Sequence, residues 1–193
     1  TFFNDGKEVR TPLLTMVGAS NEVPESDDNL EAMQDRFVIK FMVNPIQEQG
    51  NFVKMLGSGE FVSSPTLELS DIMTAHNQTR EITIDKEMLE LLFQIRTELK
   101  AEEIVVTDRT FKKATDILRA EAWLNGNDTV IEDDFDCLQH VLWTDPEHRQ
   151  RSATKLFGLV DPTRSKMLEL MDDVRDLFST SMKAEAKTKE SVT

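Results

Sequence analysis

Three polar positions in this chain have the residue type and setting needed to handle a phosphate. Asn21 follows the apolar stretch Leu13-Leu-Thr-Met-Val-Gly-Ala-Ser20, Arg36 precedes the apolar stretch Phe37-Val-Ile-Lys-Phe-Met-Val43, and Arg109 follows Thr107-Asp108 at the start of an amphipathic segment. A polar side chain at the carboxyl edge of a strand can orient water, and an arginine can neutralise charge developing on a transferred phosphoryl group. The first turn of a helix adds backbone N–H groups that favour anions. Each residue also has a plainer reading. Asn21 could cap the segment that follows it, Arg36 could pair on the surface with Asp35 or Glu31, and Arg109 could be balanced by Asp108.

The elements that must position these residues change character along the chain. Leu13, Leu14, Met16, Val17 and Ala19 make a nearly continuous apolar run, as in a parallel strand covered on both faces, and residues 37–43 make a second run interrupted by Lys40. Between them Leu30, Met33 and Phe37 share helical spacing. Near the start, Asn4-Asp-Gly6 predicts a tight turn, with Thr11 to Ser20 returning as strand. Pro45, Gly50, Gly57, Gly59 and Pro65 punctuate a connector that holds a short helical stretch around Phe52 to Leu56.

Beyond residue 66 the spacing is helical throughout. Leu67, Leu69, Ile72 and Met73 open one helix, and Asp85 is placed to cap a second carrying Met88, Leu91, Leu92, Ile95 and Leu99. Thr107 or Asp108 caps a third with Phe111, Ala114, Leu118 and Ala122 inward, stopped at Asn125-Gly126. Phe135, Leu138, Val141 and Leu142 predict a fourth, ending near Trp143. Asp161 and Pro162 begin a last amphipathic helix with Met167, Leu170, Met171, Val174, Leu177 and Phe178 on one face, before a charged tail from Ser179 to Thr193 without apolar periodicity.

Gly18-Ala-Ser-Asn-Glu-Val-Pro24 and Asp35-Arg-Phe37 together resemble the sensor 1 strand and arginine-finger region of AAA+ ATPases, specifically the MoxR family and its RavA-like branch. The resemblance is strongest over residues 11–43 and 105–145. It implies a fold that is α/β plus all-α: the C-terminal part of an AAA+ P-loop NTPase core with parallel strands, followed by a helical-bundle lid. The expected division is 1–48 for the core part, 49–66 for the connector, 67–145 for the lid and 146–193 for the amphipathic helix and tail. By the same resemblance Asn21 is sensor 1, Arg36 is an arginine finger reaching a neighbouring subunit, and Arg109 is sensor 2. The implied cofactors are ATP and Mg²⁺. The implied assembly is a homo-oligomeric ring, a hexamer in this family, acting with a VWA-domain partner to remodel protein complexes. Walker A and Walker B motifs are absent from this sequence, so the resemblance implies the second half of an ATPase, inactive by itself.

Composition bounds the alternatives. With 36 acidic and 22 basic residues the net charge is −14, which disfavours nucleic acid as a partner. No run approaches the ~18 apolar residues of a membrane helix, and the single Cys137 excludes an intrachain disulfide and suits a reducing, cytoplasmic setting. Cys137 with His140 one turn later could form a nucleophile pair or be a packing thiol beside a helix face, and the latter fits its apolar neighbours. His76, His140 and His148 lack zinc-ligand spacing. Two rivals to the ring ATPase remain: a non-catalytic docking module from a degenerate ATPase, and a magnesium-chelatase-like ring ATPase.

Overall fold

The computed structural model describes residues 2–9, 13–21, 36–57 and 66–167, with residues 170, 171, 173, 174, 177 and 178 of the helix that follows. The helix expected over residues 24–36 and the tail from Ser179 lie outside the described residues, apart from Arg36 itself. Among the described residues, strand pairing is confined to one hairpin and one isolated bridge. The hairpin joins β1 (Phe2–Asn4) to β2 (Lys7–Val9) in antiparallel register. Asp5 and Gly6 both have positive φ, 47° and 75°, the left-handed pair that a two-residue hairpin turn requires. The expected turn is present, but the returning strand is Lys7–Val9 rather than Thr11–Ser20.

The two apolar runs expected as parallel strands form no ladder here. Residues 13–20 and 40–48 have no regular secondary structure, and Val17 and Val43 are 89% and 91% exposed. The reason is physical: a parallel strand is buried only between neighbouring strands and the helices covering them, and none of these lies among the described residues. The helices that follow are similarly uncovered. Neither α1 (Gln49–Gly57) nor α2 (Leu69–Thr79) contains a buried residue.

The core belongs to residues 82–157. Helix α3 (Lys86–Ala101) buries Leu92, Ile95 and Leu99, and α4 (Asp108–Leu124) buries Thr110, Ala114, Leu118 and Ala122. Thr107 caps α4, its Oγ1 accepting from the Thr110 N–H at 3.2 Å, and Asn125 with Gly126 (φ 79°) ends it. Asp85 holds the N-cap position of α3 without a side-chain cap bond. The expected fourth helix is a 3₁₀ helix, η1 (Glu132–His140), packed against both α4 and α5 (Arg149–Val160). Three residues per turn aligns Phe135 with Leu138 and, one step past the helix, Val141, all of them fully buried. A short turn, η2 (Pro146–His148), leads into α5.

Polar groups fasten this bundle at its ends. The fully buried Asp134 accepts from the Ile131 N–H at 2.9 Å and from the Asn125 amide at 2.8 Å, tying η1 to the end of α4. Glu102, the C-cap of α3, takes Arg151 and Lys155 of α5, each at 2.8 Å. Hydrogen bonds from Lys155 and then Arg151 hold the Glu102 carboxyl down at about 2. Beyond α5, Asp161 accepts from the N–H groups of Thr163 and Arg164 and so begins the last helix as expected.

Helix α3 ends on a residue under strain. Glu103 has φ 62°, and the Ile104 N–H returns to the Leu99 carbonyl at 2.9 Å, closing the left-handed turn that usually employs glycine. A side chain in that conformation costs about 1–2 kcal/mol, partly offset by the greater entropy that glycine loses on folding. Glu103→Gly is therefore expected to stabilise the chain by about 0.5–1 kcal/mol in chemical denaturation. A destabilised variant would mean that the Glu103 side chain makes a contact worth more than the strain.

Candidate functional site

The phosphate-directed residues lie on three segments, and the contacts joining those segments run through their neighbours. Asn21 ends the segment 13–21 and is exposed. Three residues earlier, Gly18 faces the ring of Phe37: a methyl group on Gly18 would sit 3.3 Å from Cε1 of that ring, tighter than ordinary contact. Glycine thus permits a close approach between the segment carrying Asn21 and the residue immediately after Arg36. Arg36 is itself exposed.

The segment after Arg36 is held to the bundle at Lys40 and Phe41. The Lys40 backbone N–H donates to the His140 carbonyl at 2.8 Å, and its ammonium donates to the Trp143 carbonyl at 2.6 Å. The same ammonium lies 5.3 Å from the centroid of the Trp143 ring, within cation–π range. The ring of Phe41 stacks on His140 at 4.5 Å between centroids. Val38 packs on the bundle core. Lys40 looked like an interruption of an apolar strand, and nothing in the sequence marked it as a tether to residues a hundred positions later.

Arg109 stands on the exposed first turn of α4. Its neighbour Asp108 is held by Arg96 of α3 at 2.7 Å. Thr107 and Thr110, flanking Arg109, line a cleft of about 250 Å³ together with Lys40, Val141, Trp143 and His148. One small cleft therefore carries both the turn bearing Arg109 and the lysine four residues after Arg36. Its lining sets an ammonium, two hydroxyls and the N-terminal turn of a helix beside the carboxylates of Glu103 and Asp145, so an anion there would meet charges of both signs. Among the described residues, no group of three His, Cys, Asp or Glu side chains could hold a metal ion.

A second, more apolar groove of about 430 Å³ lies between Phe41, Ile117, Leu124, Cys137 and His140. Burial, with Glu121 and Asp134 adding to it, pushes the Cys137 thiol up to about 12, and its S–H donates to the Asp134 carbonyl at 3.1 Å. That is a packing thiol, with almost no thiolate available for chemistry. His140 has its Nδ1 buried without a hydrogen-bond partner. Desolvation, then the nearby Arg149, lowers its pKa below the ordinary 6.5.

This shift sets a pH dependence. The unfolded chain protonates His140 near 6.5 while the folded chain does so only at lower pH. The stabilising neutral form is thus fully present above 6.5 and is lost as pH falls through the folded value. The thermal midpoint is expected to drop as pH is lowered below 6.5, well above the window from 4.5 down to about 2 in which Glu102 titrates. In His140→Gln the first of these drops should shrink. Identical profiles for the two proteins between pH 6.5 and 4.5 would show that His140 is not the group responsible.

Comparison with known proteins divides the chain in two. Residues 1–83 match a family described as the MoxR domain in the MoxR-vWA-beta-propeller ternary systems, and residues 87–155 match the AAA lid domain. The chain is also similar to two uncharacterized proteins of Methanocaldococcus jannaschii. It is 26% identical to MJ0812 over 94% of this chain and 50% of that protein. It is 26% identical to MJ0079 over 91% of this chain and 46% of that protein. The chain spans about half the length of these curated relatives. The two adjoining family matches support a MoxR-family AAA+ protein, with the helical bundle described above as its lid.

Proposed function

We propose that this chain, a MoxR-domain segment joined to an AAA lid, works as part of a RavA-like MoxR ATPase that hydrolyses ATP in a ring to remodel protein complexes. The observation that carries the reading is the succession of those two family matches along one chain. The cleft supports it to the extent that it joins the turn bearing Arg109 to the segment bearing Arg36. The matched family is described from systems that combine MoxR with vWA and beta-propeller components, so the proposed partner is a VWA-domain protein.

In this reading residues 1–48 complete an α/β core, residues 49–66 connect it to a lid over 67–145, and of residues 146–193 helix α5 packs into the lid bundle while the last helix and tail are appended. The strand-like runs around Leu14 and Ile39 would be covered by sheet neighbours supplied elsewhere in the parent protein. Asn21 would orient the attacking water. Arg109 would meet the phosphates of its own subunit's nucleotide, and Arg36 would meet those of the next subunit, which requires a ring and is consistent with a hexamer. Guanidinium suits that role because it stays charged and can contact two phosphate oxygens at once. Bound Mg²⁺ would neutralise charge on the β- and γ-phosphates. Its ligands would come mainly from residues outside this chain. The chelatase-like alternative would use the same three residues.

A docking-module reading draws on a different observation: Met167, Leu170, Met171, Val174, Leu177 and Phe178 are all exposed on the last helix. ATP turnover by the complete protein separates the two. There, Arg36→Ala is expected to lower kcat by about 10³ or more while nucleotide affinity stays close to that of the unaltered protein. Arg109→Ala should weaken nucleotide binding as well. Mixing Arg36→Ala subunits with subunits unable to bind ATP should restore part of the turnover if the finger acts in trans. Full activity in Arg36→Ala would remove Arg36 from the mechanism, and no turnover in the unaltered complete protein would favour the docking module.

A further inference from the structure

We propose that Lys40 is a positioning residue that holds the Arg36-bearing segment to the lid, so that movement of the Arg109 turn is transmitted to Arg36. The inference rests on the reading that both arginines act on nucleotide. It starts from the number of bonds that converge on one side chain. Lys40 reaches the bundle through its backbone N–H to His140, its ammonium to the Trp143 carbonyl, and the face of the Trp143 ring. Phe41 adds its stack on His140 from the next position.

The target of these bonds is rigid. Trp143 is 4% exposed, and its indole N–H donates to the Gln139 carbonyl at 3.0 Å, locking the ring to the last turn of η1. The Leu142 carbonyl takes the hydroxyl of the buried Ser152, which fastens the same loop to α5. A strap attached here moves with the lid core and not with a surface loop. The geometry on the other side is short as well: Lys40 lines the cleft with Thr107 and Thr110, on either side of Arg109. A displacement of the first turn of α4 would therefore reshape the cleft that the lysine lines. Only three residues separate that lysine from Arg36, too few to absorb much of it.

The chemistry of the side chain fits a tether that can reset. An ammonium has three donors, enough for the Trp143 carbonyl and another acceptor together, and its attraction to the indole face falls off gradually with distance. Arginine keeps both a donor for the carbonyl and a planar cation for the ring, whereas methionine keeps the length of the side chain and loses both interactions. The two substitutions therefore separate tethering from simple packing.

The test uses the complete protein with Lys40→Met and Lys40→Arg, and tryptophan emission in a background where Trp123 and any tryptophan outside this chain are replaced by phenylalanine, so that Trp143 alone reports. Lys40→Met should lower kcat by roughly tenfold to a hundredfold while KM for ATP changes by less than about threefold. Lys40→Arg should recover most of the loss. A non-hydrolysable ATP analogue should shift Trp143 emission in the Lys40 protein and not in Lys40→Met. Unchanged kcat in Lys40→Met, failure of arginine to rescue, or an emission shift that survives in Lys40→Met would each overturn the proposal. If the unaltered complete protein hydrolyses no ATP, the functional reading itself has failed, an outcome distinct from turnover that is indifferent to Lys40.

Discussion

A helix with three residues per turn keeps every third side chain in line, and in this chain that line carries Phe135, Leu138 and Val141 into the centre of the bundle. Such a helix is weak by itself, because its hydrogen bonds are poorly aligned and its side chains eclipse. It persists here because α4 and α5 pack against it and because the buried Asp134 caps its first turn. The dependence runs outward from there. The loop after η1 places Trp143, Trp143 receives Lys40, and Lys40 fixes the segment that carries Arg36. Truncating Phe135 would thus loosen the site as well as the core, at a cost on the order of 3–5 kcal/mol in stability.

The chain divides into a part that satisfies itself and a part that does not. Residues 82–157 bury their helical stripes against one another, and several of their acids and bases pair within the bundle, as in Glu102 with Arg151 and Lys155 or Asp108 with Arg96. The described residues between 13 and 57 expose almost all of their apolar groups. The difference follows from the elements. A helical stripe is buried by any neighbouring helix, but a strand of parallel type needs neighbours on both edges and cover on both faces. Asn21 and Arg36 lie at the margins of the second part, so their final placement depends on the same sheet that would bury Leu14 and Ile39. Arg109 belongs to the self-sufficient part.

How much of this was legible follows the same division. The caps at Thr107 and Asp161, the stop at Asn125-Gly126 and the inner faces of α3 and α4 were readable because each depends on residues a few positions apart. The three-residue spacing of Phe135, Leu138 and Val141 was visible, yet it satisfies α and 3₁₀ geometry alike, and only the packing decides. The end of α3 at Glu103 gave no signal, since glutamate is not a residue that marks a left-handed turn. The tether was hidden for another reason: Lys40 and Trp143 are 103 positions apart, and a lysine within an apolar run reads as a solvent-facing break. For Asn21 and Arg36 the residue types alone favoured a cap and an ion pair, and for Arg109 a balanced first turn stood level with a phosphate contact. The surrounding motif, not their chemistry, set them apart.

Charge shapes what the site can accept. A nucleotide carries several negative charges, and it would approach a chain whose net charge is −14. Long-range steering therefore works against binding, and any attraction must come from cations within about a Debye length, roughly 8–10 Å. Several of the bundle's cations are already engaged: Arg96 by Asp108, Arg151 and Lys155 by Glu102, Arg164 by Asp136, and Arg119 by the Ile82 carbonyl as well as Asp116. An acidic body of this kind holds a phosphate only where positive groups are concentrated by design. An arginine from one's own lid, another from a neighbour and the dipole of α4 would be such a concentration. In the proposed ring, the same acidic surface would keep adjacent subunits apart until nucleotide lies between them, and the anion would be part of what draws the arginine of one subunit toward the site of the next.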